Sequence, residues 1–526
     1  MLRDQRMNIR AFLEQQVEKS LEKTYLHFQD QEVTYGELDR RANRVANGML
    51  GLGIRKGDRI SVFLTNSPEF LYIWFGLNKI GLIMVPINLS LKEKEIAYIV
   101  NHSDAKAIFA QSIHYSLLER VKRECPSLQK IITIGNTIPG AIHFESWLPA
   151  QRERLDPVEI DEEDDAVYVY TSGTTGTPKG VMLTHQSYVL TGQSYAHLVG
   201  IESNDRIMTA NPLFHINAQA YSVMGSMAGG ASLVLIERFS ASKLWEQAKQ
   251  YQATKIVLLL ALTHILWNRP ESEKDRDHTV RKVIAGGAPR GHFRDFERRF
   301  GVQLQTIYSL TESPLAIMSP KGSTPKDGGI GIPMLHPDNT LKNEVRIVNQ
   351  EGDEVSPYTV GEMVIRNRAI MKGYFKDKGL SSETIRGGWL HTGDSGYRDE
   401  EGYFFFVGRM KEIIRRKGEN ISALEVEAAI NRHPKVLESA VIGIPSPSGL
   451  GDEEAKAFIV LKNGETLAYP ELIEFLSKEL ASFKVPRYLE YRPDLPMNAM
   501  GRVTKEVLKQ EKPDLTKDCF DREMKA

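Results

Sequence analysis

From about residue 34 the apolar residues of this chain change their period repeatedly, and few folds accommodate that pattern. In YGELDRRANRVANGML they recur every three or four positions, which puts Leu38, Ala42, Val45, Ala46 and Met49 on one helical stripe. RISVFL follows as a short buried strand, and PEFLYIWFGLNKIG as a helix with Pro68 in its first turn. IMVPIN reads as a strand, EKEIAYIVNH as a helix and AKAIFAQ as a strand. The same grammar returns over 231–285 with SLVLIE, a helix through LWEQAKQY, and KIVLLL. Strands separated by helices predict a mostly parallel sheet covered by those helices. The class expected is α/β, with a large multi-layered N-terminal domain of helix-covered sheets.

Beyond about residue 340 the pattern shortens into strands and turns: EVRIVNQEG, GEMVIRN and EGYFFFVGR. These make a β-rich part of the large domain, after an irregular loop over 319–340 that is rich in Gly, Pro and Lys. ISALEVEAAINRHP then predicts an amphipathic helix with Leu424, Ala428 and Ile421 on its buried side. Two strands, VLESAVIGIP and EAKAFIVLK, and a helix through PELIEFLSKEL complete a compact α+β unit. Its boundary is set at GRMKEIIRRKG, which gives a large domain over 1–408 and a small one over 409–526.

At 526 residues the chain can bury several cores, and its 67 basic and 68 acidic residues nearly cancel. No global field favours nucleic acid or an anionic membrane. Cys125 and Cys519 lie far apart and in no Cys/His cluster, against a disulfide framework or a structural zinc. The charged start MLRDQRMNIRAFLEQQ has no apolar core of signal-peptide length. The run IVLLLALTHILW at 256–267 is too short to span a bilayer. A cytoplasmic protein without membrane insertion is expected.

TSGTTGTPKG, 171–180, sets five hydroxyls, three glycines and one lysine in a row. It is not a Walker A loop, because Lys179 follows Pro178 and precedes Gly180. Hydroxyls and the amides exposed by glycine can still wrap phosphate oxygens while Lys179 offsets charge. A Ser/Thr/Gly linker is the alternative. The apolar strand AVYVYT running in and VMLTH running out favour a phosphate loop between ordered strands.

YTSGTTGTPKGVMLTH resembles the phosphate-binding signature of the adenylate-forming superfamily of acyl-CoA synthetases, peptide-synthetase adenylation domains and beetle luciferases. NKIGLIMVPIN, FHINAQ, GGAP, YSLTE, GGWLHTGD, GRMKEIIRRKGENIS and PMNAMGRVTK also have family counterparts, in order along nearly the whole chain. The resemblance implies two half-reactions: a carboxylate attacks the α-phosphate of ATP, releasing pyrophosphate, and a thiol then displaces AMP. The loop residues Thr171, Ser172, Gly173, Thr174, Thr175 and Gly176, with Lys179, would hold the β- and γ-phosphates. Gly286, Gly287, Ala288, Pro289 and Tyr308 would frame the adenine. Asp394 would take both ribose hydroxyls, with Arg409 adding a contact. Thr311 would touch the α-phosphate, and Glu312 would help hold Mg²⁺. Singly, each has a plainer reading: Asp394 as a helix cap, Arg409 as a surface ion pair, GGAP as a turn.

The same likeness places His215 between an acyl pocket and a thiol tunnel, in an orienting role, although a lone histidine after Pro-Leu-Phe is more often a packed core residue. Asn217, Ser309 and Leu310 would line the acyl pocket. Gly418, Glu419 and Asn420 would lie along the pantetheine arm of CoA, Gly418 letting it pass close to backbone. Lys411 matches the hinge of a mobile C-terminal lid. Within the superfamily the likeness is to the carnitine/crotonobetaine–CoA ligase group. Three departures stand out. Asn217 is neutral where an acid would suit a trimethylammonium group, and Ser309 replaces a usual glycine. Arg502 stands where the family's catalytic lysine follows Gly501, and the alternative is that Lys505 swings in for it.

The function expected is ATP-dependent ligation of CoA to a short or medium carboxylic acid, polar acids included. The cofactor set is ATP/AMP, Mg²⁺ and coenzyme A, and a homodimer is left open. Two other readings remain: an adenylation enzyme that loads a carrier protein, and a nucleotide-binding sensor with weakened catalysis.

Overall fold

The computed structural model describes residues 7–171, 178–286, 292–326, 328–410, 413–416, 419–446, 453–497 and 503–523, with backbone alone at 260, 261, 413, 419 and 420. The chain divides into two compact units, Met1–Val345 with Val364–His391, and Arg346–Met363 with Thr392–Ala526.

In the first unit, the predicted helices form where the apolar period places them. Tyr35–Gly51 is capped by Thr34, whose side chain accepts from the Glu37 amide, and it buries Leu38, Ala42, Val45, Ala46 and Met49. Pro68–Asn78 starts on its proline and is buried on every side from Phe70 to Asn78, as an all-apolar helix must be inside a large core. Pro68–Asn78 packs on Ile83–Pro86, a strand of a sheet in the order Gly373–Tyr374, Lys179–Thr184, Asp165–Thr171, Ile83–Pro86, Arg59–Phe63, Ala107–Gln111, Lys130–Ile134 and Ile142–His143. From Asp165–Thr171 onward the neighbours are parallel, as predicted. At the other end, Lys179–Thr184 runs antiparallel to both its neighbours.

A second sheet of this unit runs Gly329–Pro333, Ser313–Met318, Gln303–Leu310, Lys282–Ala285, Lys255–Leu258, Arg206–Thr209, Ser232–Leu235, Thr24–Phe28 and Gln31–Thr34. The apolar run at 256–267 divides into the strand Lys255–Leu258 and the helix Leu260–Trp267, and no described helix is long and apolar enough to cross a membrane. The stretch over 319–340 is not wholly irregular. Its GIGIP segment pairs as a strand with Ser313–Met318, a long-range contact that local Gly and Pro content conceals.

The second unit contains the antiparallel pair Trp389–Arg398 and Phe404–Arg409 over residues 394–409. A four-stranded sheet follows in the order Val436–Pro445, Glu453–Leu461, Tyr488–Arg492 and Phe520–Asp521. The helix predicted through ISALEVEAAINRHP begins later, at Ala423, with Ser422 as its cap. Ile421 is buried in the preceding strand, Leu424 and Ala428 are half-buried, and the inner face is Ala423, Val426, Ala429 and Ile430. Starting the helix two residues further on rotates its face by about half a turn.

Candidate active site

The strands flanking the phosphate-loop motif form an antiparallel hairpin. Thr171 and Lys179, at the two ends of the loop, are cross-strand partners, and Tyr170 pairs with Gly180. A side chain at 180 would put its Cβ 3.0 Å from the Tyr170 ring, so glycine lets that ring lie across the stem. The Tyr170 hydroxyl and His102 Nδ1 share a hydrogen bond of 2.7 Å. Burial first, and then Lys376, hold the His102 pKa below its ordinary value against the pull of Asp104 and Asp377.

On the far side of the hairpin lies the segment 371–375. Tyr374 pairs with Val181, Gly373 with Met182, and the Phe375 amide donates to the Gly180 carbonyl at 2.8 Å. Gly373 has φ of 144°, a conformation open to glycine, and this turns the backbone so that the Tyr374 amide donates to Ser381 Oγ at 2.8 Å. The Met371 amide donates to the Glu312 carbonyl, also at 2.8 Å. Glu312 sits with Thr311 in the tight turn between Gln303–Leu310 and Ser313–Met318. Its Oε1 accepts the Tyr374 hydroxyl at 2.9 Å, and the same ring has Lys179 Nζ 5.7 Å from its centroid. One tyrosine thus links the cation at the end of the phosphate loop to a carboxylate distant in sequence. Nothing local in MKGYFK marks Tyr374 for this position, and only the sheet register reveals it.

Tyr308, Ser309 and Leu310 end the strand that leads into the same turn, half-buried and with a register shift between Tyr308 and Leu310. The Ser309 hydroxyl bonds the buried Tyr221 phenol, whose pKa burial raises far above its usual value, and Tyr221 also donates to the Pro314 carbonyl at 2.5 Å. Gly286 follows the strand Lys282–Ala285, its amide donating to the Leu258 carbonyl at 3.2 Å.

His215 is half-buried on the turn before a π-helix, Ala218–Val223, a geometry that often marks functional sites. Its ring lies 4.5 Å from that of Phe214. The turn is held by Asn66, which sequence reading did not single out. Asn66 Nδ2 donates to the Asn211 and Ile236 carbonyls at 3.1 and 2.9 Å, and its Oδ1 accepts the Leu213 amide at 2.7 Å. Gln219 adds a bond from Nε2 to the Leu213 carbonyl at 2.7 Å. Asn217 Oδ1 accepts from Asn211 Nδ2 at 2.7 Å.

In the second unit Asp394 and Arg409 are cross-strand partners, with Arg409 Nε 2.8 Å from Asp394 Oδ1. Asp394 is 2 % exposed, and its amide donates to Thr392 Oγ1 at 3.0 Å. Lys505 forms an ion pair with Glu427 at 2.8 Å, and Glu427 Oε1 also accepts the Val441 amide at 2.7 Å. Ser172, Gly173, Thr174, Thr175, Gly176, Gly287, Ala288, Pro289, Lys411, Gly418 and Arg502 lie outside the described residues, as do the side chains of Glu419 and Asn420.

Among the described residues no group of three or more His, Cys, Asp or Glu could hold a metal ion by itself. A single carboxylate at Glu312 fits Mg²⁺ in its usual nucleotide-bound form, which takes one or two protein carboxylates and completes its shell with phosphate oxygens and water.

Comparison with known proteins agrees with this geometry. The AMP-binding enzyme family model matches residues 13–375, and the AMP-binding enzyme C-terminal domain matches 425–502. The crotonobetaine/carnitine–CoA ligase of Salmonella heidelberg (strain SL476) is 36 % identical over 491 residues, covering 90 % of this chain and 93 % of the relative. Among solved structures, an anthranilate CoA ligase in complex with anthranoyl-AMP superposes with a TM-score of 0.88 at 27 % identity, covering 96 % of this chain and 97 % of the other. The O-succinylbenzoate coenzyme A synthetase of Bacillus subtilis, in complex with AMP, gives 0.81 at 27 % identity, covering 96 % and 98 %. A hairpin-stemmed loop ending on a lysine, joined to an acidic turn and matched over both domains, identifies the chain as a member of the AMP-binding enzyme family, in its acyl-CoA ligase branch.

Proposed function

We propose that this protein activates a short or medium carboxylic acid, polar acids included, as its acyl-adenylate, releasing pyrophosphate. It then transfers the acyl group to the thiol of coenzyme A, releasing AMP. The observation that carries the reading is the meeting of Lys179 and Glu312 on Tyr374 at the stem of the phosphate-loop motif. Charge accumulates on the departing pyrophosphate, and a fixed cation beside it lowers the barrier without reorganising at the moment of reaction. Lys179 supplies that cation, with the hydroxyls of 171–175 on the phosphate oxygens. Glu312 holds Mg²⁺, which when bound neutralises phosphate charge and orients the chain of phosphates for attack. Thr311 donates to the α-phosphate.

Gly286 to Pro289 and Tyr308 receive the adenine, and Asp394 with Arg409 the ribose. His215 orients the acyl group toward the thiol, Asn217, Ser309 and Leu310 shape the acyl site, and Gly418 to Asn420 lie along the CoA arm. Arg502 takes the part of the family's lysine, bridging substrate carboxylate and α-phosphate through its planar fork. The ion pair of Lys505 with Glu427 supports that assignment over Lys505. We place the functional domain boundary at residue 409, with Lys411 as the hinge.

The Salmonella relatives act on crotonobetaine or carnitine by name, which makes betaine-like acids the first to try. Asn217 in place of an acid argues that neutral polar acids should compete well with them. Incubation with ATP, Mg²⁺, CoA and a panel of acids, read by mass spectrometry of the thioesters, tests the reading. AMP formed without a thioester would transfer the second step to a carrier protein. No pyrophosphate with any acid would leave a nucleotide sensor.

A further inference from the structure

We infer that Tyr374 is a positioning residue for the Mg²⁺-binding carboxylate, a role that rests on the assignment of Glu312 above. Glu312 stands in a two-residue turn, where a long side chain has rotamers to spare and ordering it costs conformational entropy. The Tyr374 hydroxyl fixes one carboxylate oxygen at 2.9 Å. The donor is itself immobile: Tyr374 is 9 % exposed and paired with Val181 in the sheet. The ring that carries the hydroxyl packs against Lys179. The carboxylate, the phosphate-loop lysine and the sheet therefore keep one spacing, and the geometry of the cation is set before any nucleotide arrives. Partners of this kind, which hold a metal-binding carboxylate rather than the metal, change metal affinity by about 10- to 100-fold when removed.

The test uses the full chain without acid or CoA, so that no turnover intervenes. Calorimetry follows binding of an ATP analogue with an α,β-methylene bridge at stepped Mg²⁺ concentrations. Glu312→Gln should raise the Mg²⁺ concentration needed for tight binding, and Tyr374→Phe should raise it by about tenfold. Because the hydroxyl acts through the carboxylate, the double variant should match Glu312→Gln alone. Ser381→Ala, which loses the amide anchor and keeps the phenol, should lower the thermal midpoint and leave the Mg²⁺ dependence near wild type. The inference is overturned if Tyr374→Phe binds like wild type while Glu312→Gln is impaired. Additive effects in the double variant, or a Ser381→Ala chain impaired as much as Tyr374→Phe, would overturn it equally. A Glu312→Gln chain with unchanged Mg²⁺ dependence would instead overturn the assignment of Glu312, and the role of Tyr374 with it.

Discussion

Lys179 in the first unit lies against the face of Tyr374, whereas Lys505 in the second is bound to Glu427 at 2.8 Å. Lys179 also stands apart from buried cations of its own unit, where Lys79 is bound to Asp39 and Lys255 to Asp205. In the second unit the buried Arg416 is bound to Glu454 and Glu523, the buried Lys456 to Glu490, and Arg487 to Asp521. Such pairs offset the penalty of burying charge, and each cation in them is committed to its carboxylate. Among the described residues Lys179 has no carboxylate partner, and an aromatic face contributes only about 0.5–1 kcal/mol at an exposed site. A cation held by a ring keeps its charge for a ligand, while a cation held by a carboxylate has already used it on the fold.

The largest effect that could break this comparison is on chemistry. We predict that Lys179→Ala and Glu312→Ala each slow adenylation by a hundredfold or so, about 3 kcal/mol of transition-state stabilisation, while thermal unfolding is unchanged. Wild-type pyrophosphate exchange at saturating ATP in both variants would remove the phosphate site from this place.

The next effect separates two cations of the second unit. Lys505→Ala removes one contact of Glu427, which keeps the Val441 amide, and should destabilise that unit by about 1–2 kcal/mol, with adenylation per folded molecule preserved. Arg502→Ala should do the reverse, suppressing adenylation far more than thioester formation from preformed acyl-adenylate, and Arg502→Lys should restore it. Normal adenylation by Arg502→Ala with loss in Lys505→Ala would exchange their roles.

A third effect depends on pH. His185 begins the helix that follows the Lys179 strand, with Nδ1 accepting the Ile9 amide at 3.3 Å. Burial, against the pull of Asp164 and with a small contribution from Lys56, lowers its pKa from 6.5 to about 4. The folded state then resists a proton that the unfolded chain accepts below 6.5, so stability is full above that pH and is lost as pH falls toward 4. At roughly 1.4 kcal/mol per pH unit the loss is about 3 kcal/mol at most. The stability of wild type relative to His185→Gln should narrow over that window, and parallel curves would show the ring protonated in both states.

The smallest effect concerns the acid. Asn217→Asp keeps the acceptor for Asn211 and adds a charge, so it should raise the kcat/KM for a trimethylammonium acid relative to a neutral acid of similar size by several-fold, about 1 kcal/mol. An unchanged ratio would place the substrate's far end elsewhere.

Much of the first unit was legible because its segments obey one period each and carry their own start signals, Thr34 and Pro68 among them. The helix at 423 was misphased because Glu419–Ser422 pairs as a strand with Ile413–Arg416, a contact that overrides the apparent helical pattern of ISALEV. Lys179 was singled out by its hydroxyl-rich motif, and Glu312 by the likeness of YSLTE to its family counterpart. Tyr374 and Asn66 could not be found in this way, because their importance arises from what the sheets bring to them across the sequence.

The hold of Asn66 on three backbone groups, two in the turn at 211–213 and one at Ile236, bears on time as well as position. A turn fixed only by its own neighbours can fray in isolation, whereas this one shares its clasp with the end of the strand at Ile236. The Leu213 amide can meet solvent protons only when that clasp opens. His215 would then keep its place through many turnovers and lose it on the slower clock on which the sheet itself opens.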